Sequence, residues 1–273
     1  LDRLEAALEH KLSRPVVPSA VEIDSKNFKI SANTEQADNT AHNEGPVKYA
    51  FDKNPNTIWH SSYNPMFTVS ADNPAEITID MGKSYTINQF SYLQRPAGGN
   101  NGKVQKYNLY VKSNQADKWK KIVTDGTFAD KQELRKVTFD EVEAQYVKFE
   151  VTQGFGNFAT AAELAVYQKA SDFSKLQKAM DEAEKLDRTK YLEVYYSNID
   201  QLCEEAEELL KDFMTEQAKI DALTEQLQKA LDALEALAAK SDIKLLEEAV
   251  EAARNIDLDQ YKNTKEFEKA LSA

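Results

Sequence analysis

The sequence predicts two architectures in series, a β-sandwich followed by an all-α three-helix bundle, and two observations predict it. All 8 Gly fall between Gly45 and Gly156 and all 7 Pro between Pro15 and Pro96, whereas residues 157–273 contain neither. Turn-forming residues punctuate short strands, and their absence leaves a long stretch free to be helical. Hydrophobic periodicity changes at the same place, from alternation to a 3–4 spacing.

In the first region, Ala75-Glu76-Ile77-Thr78-Ile79-Asp80 alternates, as do Tyr107-Asn108-Leu109-Tyr110-Val111 and Tyr146-Val147-Lys148-Phe149-Glu150-Val151. Several such strands between about 21 and 168, with turn signals such as Asp125-Gly126, predict a sandwich. Both Trp, Trp59 and Trp119, fall in it and are expected between the sheets. Helices are expected over about 172–187, 192–212 and 216–239, the last burying Ile220, Leu223, Leu227, Leu231, Leu234 and Leu237, with Thr215 as N-cap.

The helical pattern repeats at an offset of 70 residues: Phe173, Leu176, Ala179, Met180 and Tyr191 align with Ile243, Leu246, Ala249, Val250 and Tyr261. Leu1-Asp2-Arg3-Leu4-Glu5-Ala6 resembles Leu231-Asp232-Ala233-Leu234-Glu235-Ala236. The expected organisation is the end of a preceding helical module and a linker (1–18), a sandwich (19–169), a three-helix bundle (170–240) and the start of a second, truncated repeat (241–273). Such a chain is an excerpt from a modular array.

Charge and composition narrow the function. Residues 172–273 carry 25 acidic and 14 basic side chains, a net of −11 out of the chain's −12. With no basic patch to displace counterions, nucleic acid is not an expected partner. No run approaches 18 apolar residues, so no membrane insertion is expected, and the mixed-charge first residues do not read as a signal peptide. The single cysteine, Cys203, excludes an internal disulfide and a Cys-based metal site.

The residues with chemistry to offer lie in loops of the β region. Asp52, Asn54 and Thr57 put oxygen ligands on one loop tightened by Pro55. A hard cation such as Ca²⁺ takes six to eight oxygens at about 2.3–2.6 Å; a metal-free Asx turn capped by Asp52 and Thr57 is the other reading. His60, Arg95 and Asn100 supply fixed donors and acceptors of the kind a sugar needs, Arg95 a planar fork for two neighbouring hydroxyls and His60 an acceptor for an axial one. Arg95 could instead pair with Glu44 or Glu163. Phe155 and Phe158, on a glycine-flanked late loop, are poorly placed for a core; one is expected to stack on the ligand, with Phe155 favoured, and the other to pack inward. An enzyme is not expected: Glu44 and Asp72 lack a patterned partner, and phosphate loop, nucleophile elbow and metal-spaced His pair are all missing.

Residues 28–168 resemble a discoidin-type (coagulation factor 5/8 type C) domain, most closely the family 32 carbohydrate-binding modules. The likeness is carried by Asp52 to Trp59, by Ile79-Asp80-Met81-Gly82 and by the closing Glu163-Leu164. Residues 172–239 are similar to FIVAR modules, helical spacers of large secreted bacterial enzymes. The resemblance implies a jelly-roll, galactose-binding-like fold. It implies a structural Ca²⁺ held by carbonyls near Tyr49, Asn54 and Ala162 and by side chains of Asp52, Thr57 and Glu163. It implies sugar contacts from His60, Arg95 and Asn100, with a ring at Tyr63. Gln94 before Arg95 and Pro96 after it depart from the family's commonest Tyr-x-Pro-Arg form.

The expected function is non-catalytic binding of terminal galactose or N-acetylgalactosamine. The module would target an attached glycan-active enzyme, such as a glycoside hydrolase, as a monomeric unit of a larger chain that is secreted or held at the surface of a Gram-positive-like bacterium. The alternatives are another sugar such as N-acetylglucosamine, a structural spacer, or a protein- or lipid-binding discoidin-type domain.

Overall fold

The computed structural model describes residues 14–96, 99–191, 193–239, 249–254 and 269. The chain divides into two compact units, Pro18–Ala170 and a second that joins Leu1–Val17 to Ser171–Ala273. The first is an antiparallel β-sandwich and the second is helical.

Two long bent strands organise the sandwich, β5 (Ala75–Leu93) and β8 (Leu134–Gly154), which pair along most of their length. Strands β1 (Ala20–Glu22), β2 (Lys29–Ala32), β3 (Glu44–Gly45) and β4 (Ile58–His60) precede β5. Between the long strands lie β6 (Val104–Lys112) and β7 (Lys120–Gly126), and β9 (Thr160–Ala161) and β10 (Glu163–Lys169) follow.

The β5–β8 register shifts between Asp80 and Tyr85, and Gly82 adopts φ 80° there while its N–H donates to Asp80 Oδ1 at 2.9 Å. The bend lets one pair serve two layers. Its first half runs beside β2 and β6, and its second half beside β10. Alternation then fills the interior: Ile77, Ile79, Leu109, Val147, Phe149 and Val166 are fully buried. A small second sheet, in the order β3-β4-β9, carries the loops described below.

The two tryptophans part company. Trp59 is 0% exposed and its indole N–H donates to Thr34 O at 3.1 Å. Trp119, expected between the sheets, is instead only half-buried, just before the edge strand β7. Lys112 Nζ stands 4.9 Å and Lys148 Nζ 5.7 Å from its ring, and the same ammonium groups lie over Tyr146 and Tyr110. Cation–π packing on the outward face replaces core packing.

In the helical unit, α1 (Ser174–Glu184), α2 (Glu193–Leu209) and α3 (Gln217–Ala239) bury one apolar stripe each. Leu176 and Met180 meet Ile199, Ala206, Leu227 and Leu234 in a common core. Helix α3 starts at Gln217, so Thr215 lies one position before the N-cap, and its hydroxyl donates to Asp212 O at 2.8 Å. Arg14 and Val17, in the expected linker, belong to this unit. Arg14 pairs with Asp181 at 2.9 Å and with Glu184, and Val17 packs on the helical core. Of the expected second repeat, residues 249–254 are helical; 241–248, 255–268 and 270–273 lie outside the described residues. Among the described residues no helix is long and apolar enough to cross a membrane.

Candidate functional site

The cavity is built outward from Trp59. Its burial roots β4 in the core, and the next residue, His60, closes a pair with Thr160 of β9. On the other side β3 runs parallel to β4, with Glu44 opposite Ile58. Glu44, His60, Tyr63, Arg95, Asn100 and Phe158, together with Gly99 and Asn101, line one cavity of about 440 Å³. That volume falls in the range of small-ligand sites, about 300–1,000 Å³.

His60 is 4% exposed, and its Nδ1 lies 2.7 Å from the Ser61 carbonyl oxygen. A carbonyl only accepts, so Nδ1 carries the proton and Nε2 is left as an acceptor. Burial, with Arg95's charge as a minor contributor, holds the imidazole below its ordinary pKa and keeps it neutral. Two rings hold it in place, Tyr63 edge-on at 5.3 Å and Phe158 tilted at 5.4 Å.

Glu44, 9% exposed, accepts the Tyr63 hydroxyl at 2.8 Å, and Asn39 Nδ2 donates to that hydroxyl at 3.1 Å. The Tyr63 hydroxyl therefore links Asn39 to Glu44, and Tyr63 lines the cavity. Sequence reasoning did not assign Glu44 to the cavity. A two-residue parallel pairing brings it there, and no periodicity signals such a pairing.

Arg95 follows β5 and donates from Nη1 to Asn101 O at 2.8 Å; its Nε is buried without a partner. It forms an ion pair with neither Glu44 nor Glu163. Gly99 lies against the guanidinium, where a Cβ would sit 2.6 Å from Nη2. The preceding residue, Gln94, donates from Nε2 to Asp130 at 3.0 Å, and Lys103 Nζ donates to the same carboxylate at 2.7 Å.

Asn100 is exposed on the same loop, which Gly102 anchors at φ 83°. A Cβ at 102 would meet Thr160 Cγ2 at 2.3 Å and backbone of Ala159 and Thr160 at 3.0 Å. Gly102→Ala is expected to destabilise the sandwich by about 2–4 kcal/mol, from left-handed strain plus overpacking. Calorimetry of the sandwich transition checks this.

Of the two phenylalanines, Phe158 lines the cavity and Phe155 does not. Gly156 at φ 68° and Asn157 at φ 61° turn the chain back after β8. Phe158 thereby comes over His60 into the cavity, while Phe155 is 47% exposed outside its lining.

The proposed cation ligands lie on the other side of β4. Asp52 Oδ1 accepts the Asn54 N–H at 2.9 Å and Oδ2 accepts the Thr57 hydroxyl at 2.7 Å, which also reaches Asn54 O at 2.9 Å. That is an Asx turn. Glu163, however, keeps both Oε1 and Oε2 buried without a hydrogen-bond partner. Burial and Asp52's negative charge push its carboxyl up to about 7. Lys53, the nearby cation, is engaged with Glu22. Ala162 precedes Glu163 with its N–H on Leu93 O at 2.9 Å. Tyr49 lies in a 3-10 turn over Val47–Phe51, its hydroxyl on Asp38 Oδ1 at 2.7 Å. Among the described residues no three His, Cys, Asp or Glu converge. Two carboxylates with hydroxyl and carbonyl oxygens form an oxygen-only donor set, which suits a hard cation and not zinc.

Residues 29–164 match the family model of the F5/8 type C domain. This part of the chain belongs to the F5/8 type C family. The F5/8 type C domain shares 36% identity over 125 residues with the A type blood N-acetyl-alpha-D-galactosamine deacetylase of Flavonifractor plautii, covering 45% of this chain and 15% of that relative. It is 38% identical to CpGH89CBM32-5 from Clostridium perfringens, solved in complex with GalNAc-beta-1,3-galactose, covering 54% of this chain and 99% of that one with a TM-score of 0.47. The family 32 module of NanJ from the same organism, solved with galactose, is 29% identical over 55% of this chain and 99% of its own, with a TM-score of 0.46.

Proposed function

We propose that the F5/8 type C domain is a non-catalytic carbohydrate-binding module that takes a terminal galactose or N-acetylgalactosamine in the cavity around His60. The observation that carries this reading is the convergence of a locked neutral acceptor, His60, a fixed guanidinium, Arg95, a buried carboxylate, Glu44, and an aromatic face, Phe158. Hydroxyls of a neutral sugar need donors and acceptors in fixed directions and a ring against their C–H patch. Sequence identity to proteins whose names carry galactose or N-acetylgalactosamine fits the same class. A shallow single site of this kind is expected to bind with a Kd near ~1 mM, about −4 kcal/mol.

The orphaned Glu163 oxygens beside Asp52 and Thr57 support a bound Ca²⁺ joining the Asp52 loop to β10, with carbonyls of Tyr49, Asn54 and Ala162 completing it. The three helices and the 70-residue offset support FIVAR-type spacers that present the module. In this reading the module concentrates an attached glycan-active enzyme on its substrate, outside the cell of a Gram-positive-like bacterium. Linked copies would add affinity through effective concentration.

A glycan array with Ca²⁺ present, probed with the chain and with His60→Ala, tests the reading. Binding to terminal galactosides that the variant loses supports it; silence across galactosides in both overturns it.

The tautomer adds a pH test. Because His60 titrates below 6.5, it stays neutral at pH 6.5, and galactoside affinity should hold there and fall only on further acidification. Folding follows the same sign: below 6.5 the unfolded chain takes up the proton first, so stability drops as pH falls. Calorimetric titrations of wild type and His60→Gln check this, the variant losing the pH step. An acid-side loss of affinity that survives unchanged in His60→Gln would remove His60 as its origin.

A further inference from the structure

Phe155 is an unused aromatic face beside the cavity. It opens the 3-10 turn Phe155–Asn157 and is 47% exposed, one of few large apolar side chains so exposed among the described residues. A solitary exposed ring on a floppy loop needs no explanation, but the backbone that carries this one is tied down by two bonds of its own and one from its turn. Phe155 N–H donates to Lys103 O at 3.0 Å, Phe155 O accepts Gly102 N–H at 2.8 Å, and Asn157 O accepts Val69 N–H at 2.8 Å.

Its neighbours are the lining of the cavity. Lys103 N–H donates to Asn100 O at 3.2 Å, so Phe155 is bonded to the segment that carries Asn100 and Asn101. At Gly156 a Cβ would meet Asn101 Oδ1 at 2.7 Å and Phe158 Cδ2 at 3.5 Å. One rigid turn thus sends Phe158 into the cavity against His60 and leaves Phe155 on its rim.

We propose that Phe155 forms a second subsite, stacking on the sugar next to the terminal one, so that the domain reads a disaccharide unit rather than a lone galactose. This rests on the galactoside reading above. With His60, Glu44 and Arg95 engaging hydroxyls of the terminal ring in the cavity, its glycosidic bond points to the mouth, and Asn100 and Asn101 make one side of that mouth. A pyranose leaving there meets an aromatic side chain whose backbone is already fixed, so no loop has to be ordered for the stack to form. Met66, 63% exposed and bridged to the lining residue Tyr63, is the other exposed apolar side chain next to the lining and offers no ring.

The test is calorimetric titration of the chain with methyl galactoside and with a β-1,3-linked galactosyl disaccharide, in wild type, Phe155→Ala, Phe155→Tyr and Met66→Ala. Wild type should bind the disaccharide about three- to tenfold more tightly, the span of a single ring contact. Phe155→Ala should remove that gain and leave methyl galactoside binding unchanged, while Phe155→Tyr and Met66→Ala keep it. Equal affinity for both ligands in wild type, a gain that survives Phe155→Ala, or a gain lost in Met66→Ala instead, overturns the second subsite. Wild type that binds neither ligand overturns the galactoside reading itself, a distinct outcome. A melting transition unchanged in Phe155→Ala confirms that the exposed ring is not structural.

Discussion

Arg95→Ala is expected to abolish galactoside binding while leaving the sandwich folded. A charged hydrogen bond contributes about 1.5–3 kcal/mol, so its loss weakens binding by about 10- to 100-fold. For a site with a Kd near ~1 mM, that moves affinity beyond titration. The fold should tolerate the change, because Arg95 is partly exposed and, among the described residues, its bond goes to Asn101 O on an exposed loop. Water can replace that donor, so the sandwich transition should shift by no more than about 1 kcal/mol.

Arg95→Lys sharpens the argument. It keeps the charge and removes the planar fork, so it separates long-range attraction from directed hydrogen bonding. Near wild-type affinity in Arg95→Lys would mean that charge alone suffices, and the two-hydroxyl grip would have to be abandoned. Loss in both variants, with melting transitions intact, places the binding in the geometry. The Nη1 bond to Asn101 O and the bare Gly99 backbone against the guanidinium are the features that hold this geometry.

The scaffold was far more legible than the aim of its loops. Ala75–Asp80, Tyr107–Val111 and Tyr146–Val151 alternate because each buries its apolar face; burial follows the alternation through Ala75–Asp80, while Asn108 and Glu150 are buried on the opposite face, where Asn108 Nδ2 donates to Glu150 Oε1 at 2.7 Å. The 3–4 spacing of Ile220, Leu223, Leu227, Leu231 and Leu234 reports burial just as directly. Phe155 and Phe158 were not separable in this way. Their places depend on left-handed backbone at both Gly156 and Asn157, residue types that tolerate this region but do not require it. Glu44 reaches the cavity through a two-residue bridge, too short to leave a pattern. Trp119 did carry a sign of its exposure, since Lys118 and Lys120 flank it beside an edge strand. Arg14 could not be read as part of the helical unit, because its partners Asp181 and Glu184 lie more than 160 residues away.

Removing Ca²⁺ should lower the melting temperature of the wild-type sandwich, and Glu163→Gln should cancel that effect in an informative way. A ligand present at 100 times its Kd adds about 2.7 kcal/mol to the folded state. For a domain of this size that corresponds to a drop of about 5–10 °C on chelation. Without metal, the two Glu163 carboxylate oxygens are buried without a hydrogen-bond partner and opposed by Asp52, and this burial and charge push the carboxyl up to about 7. An amide at 163 removes that repulsion, so metal-free Glu163→Gln should melt above metal-free wild type yet gain nothing from added Ca²⁺. A purely structural Glu163 would instead make the variant weaker under both conditions. If chelation leaves the wild type unmoved, the Asx turn of Asp52 and Thr57 stands alone and the calcium proposal falls. The sugar site should register the same event, because Thr57 is three residues before His60. Chelation that loosens the Asp52 loop should also loosen β4 and weaken galactoside binding in wild type, while Glu163→Gln shows no such dependence on Ca²⁺.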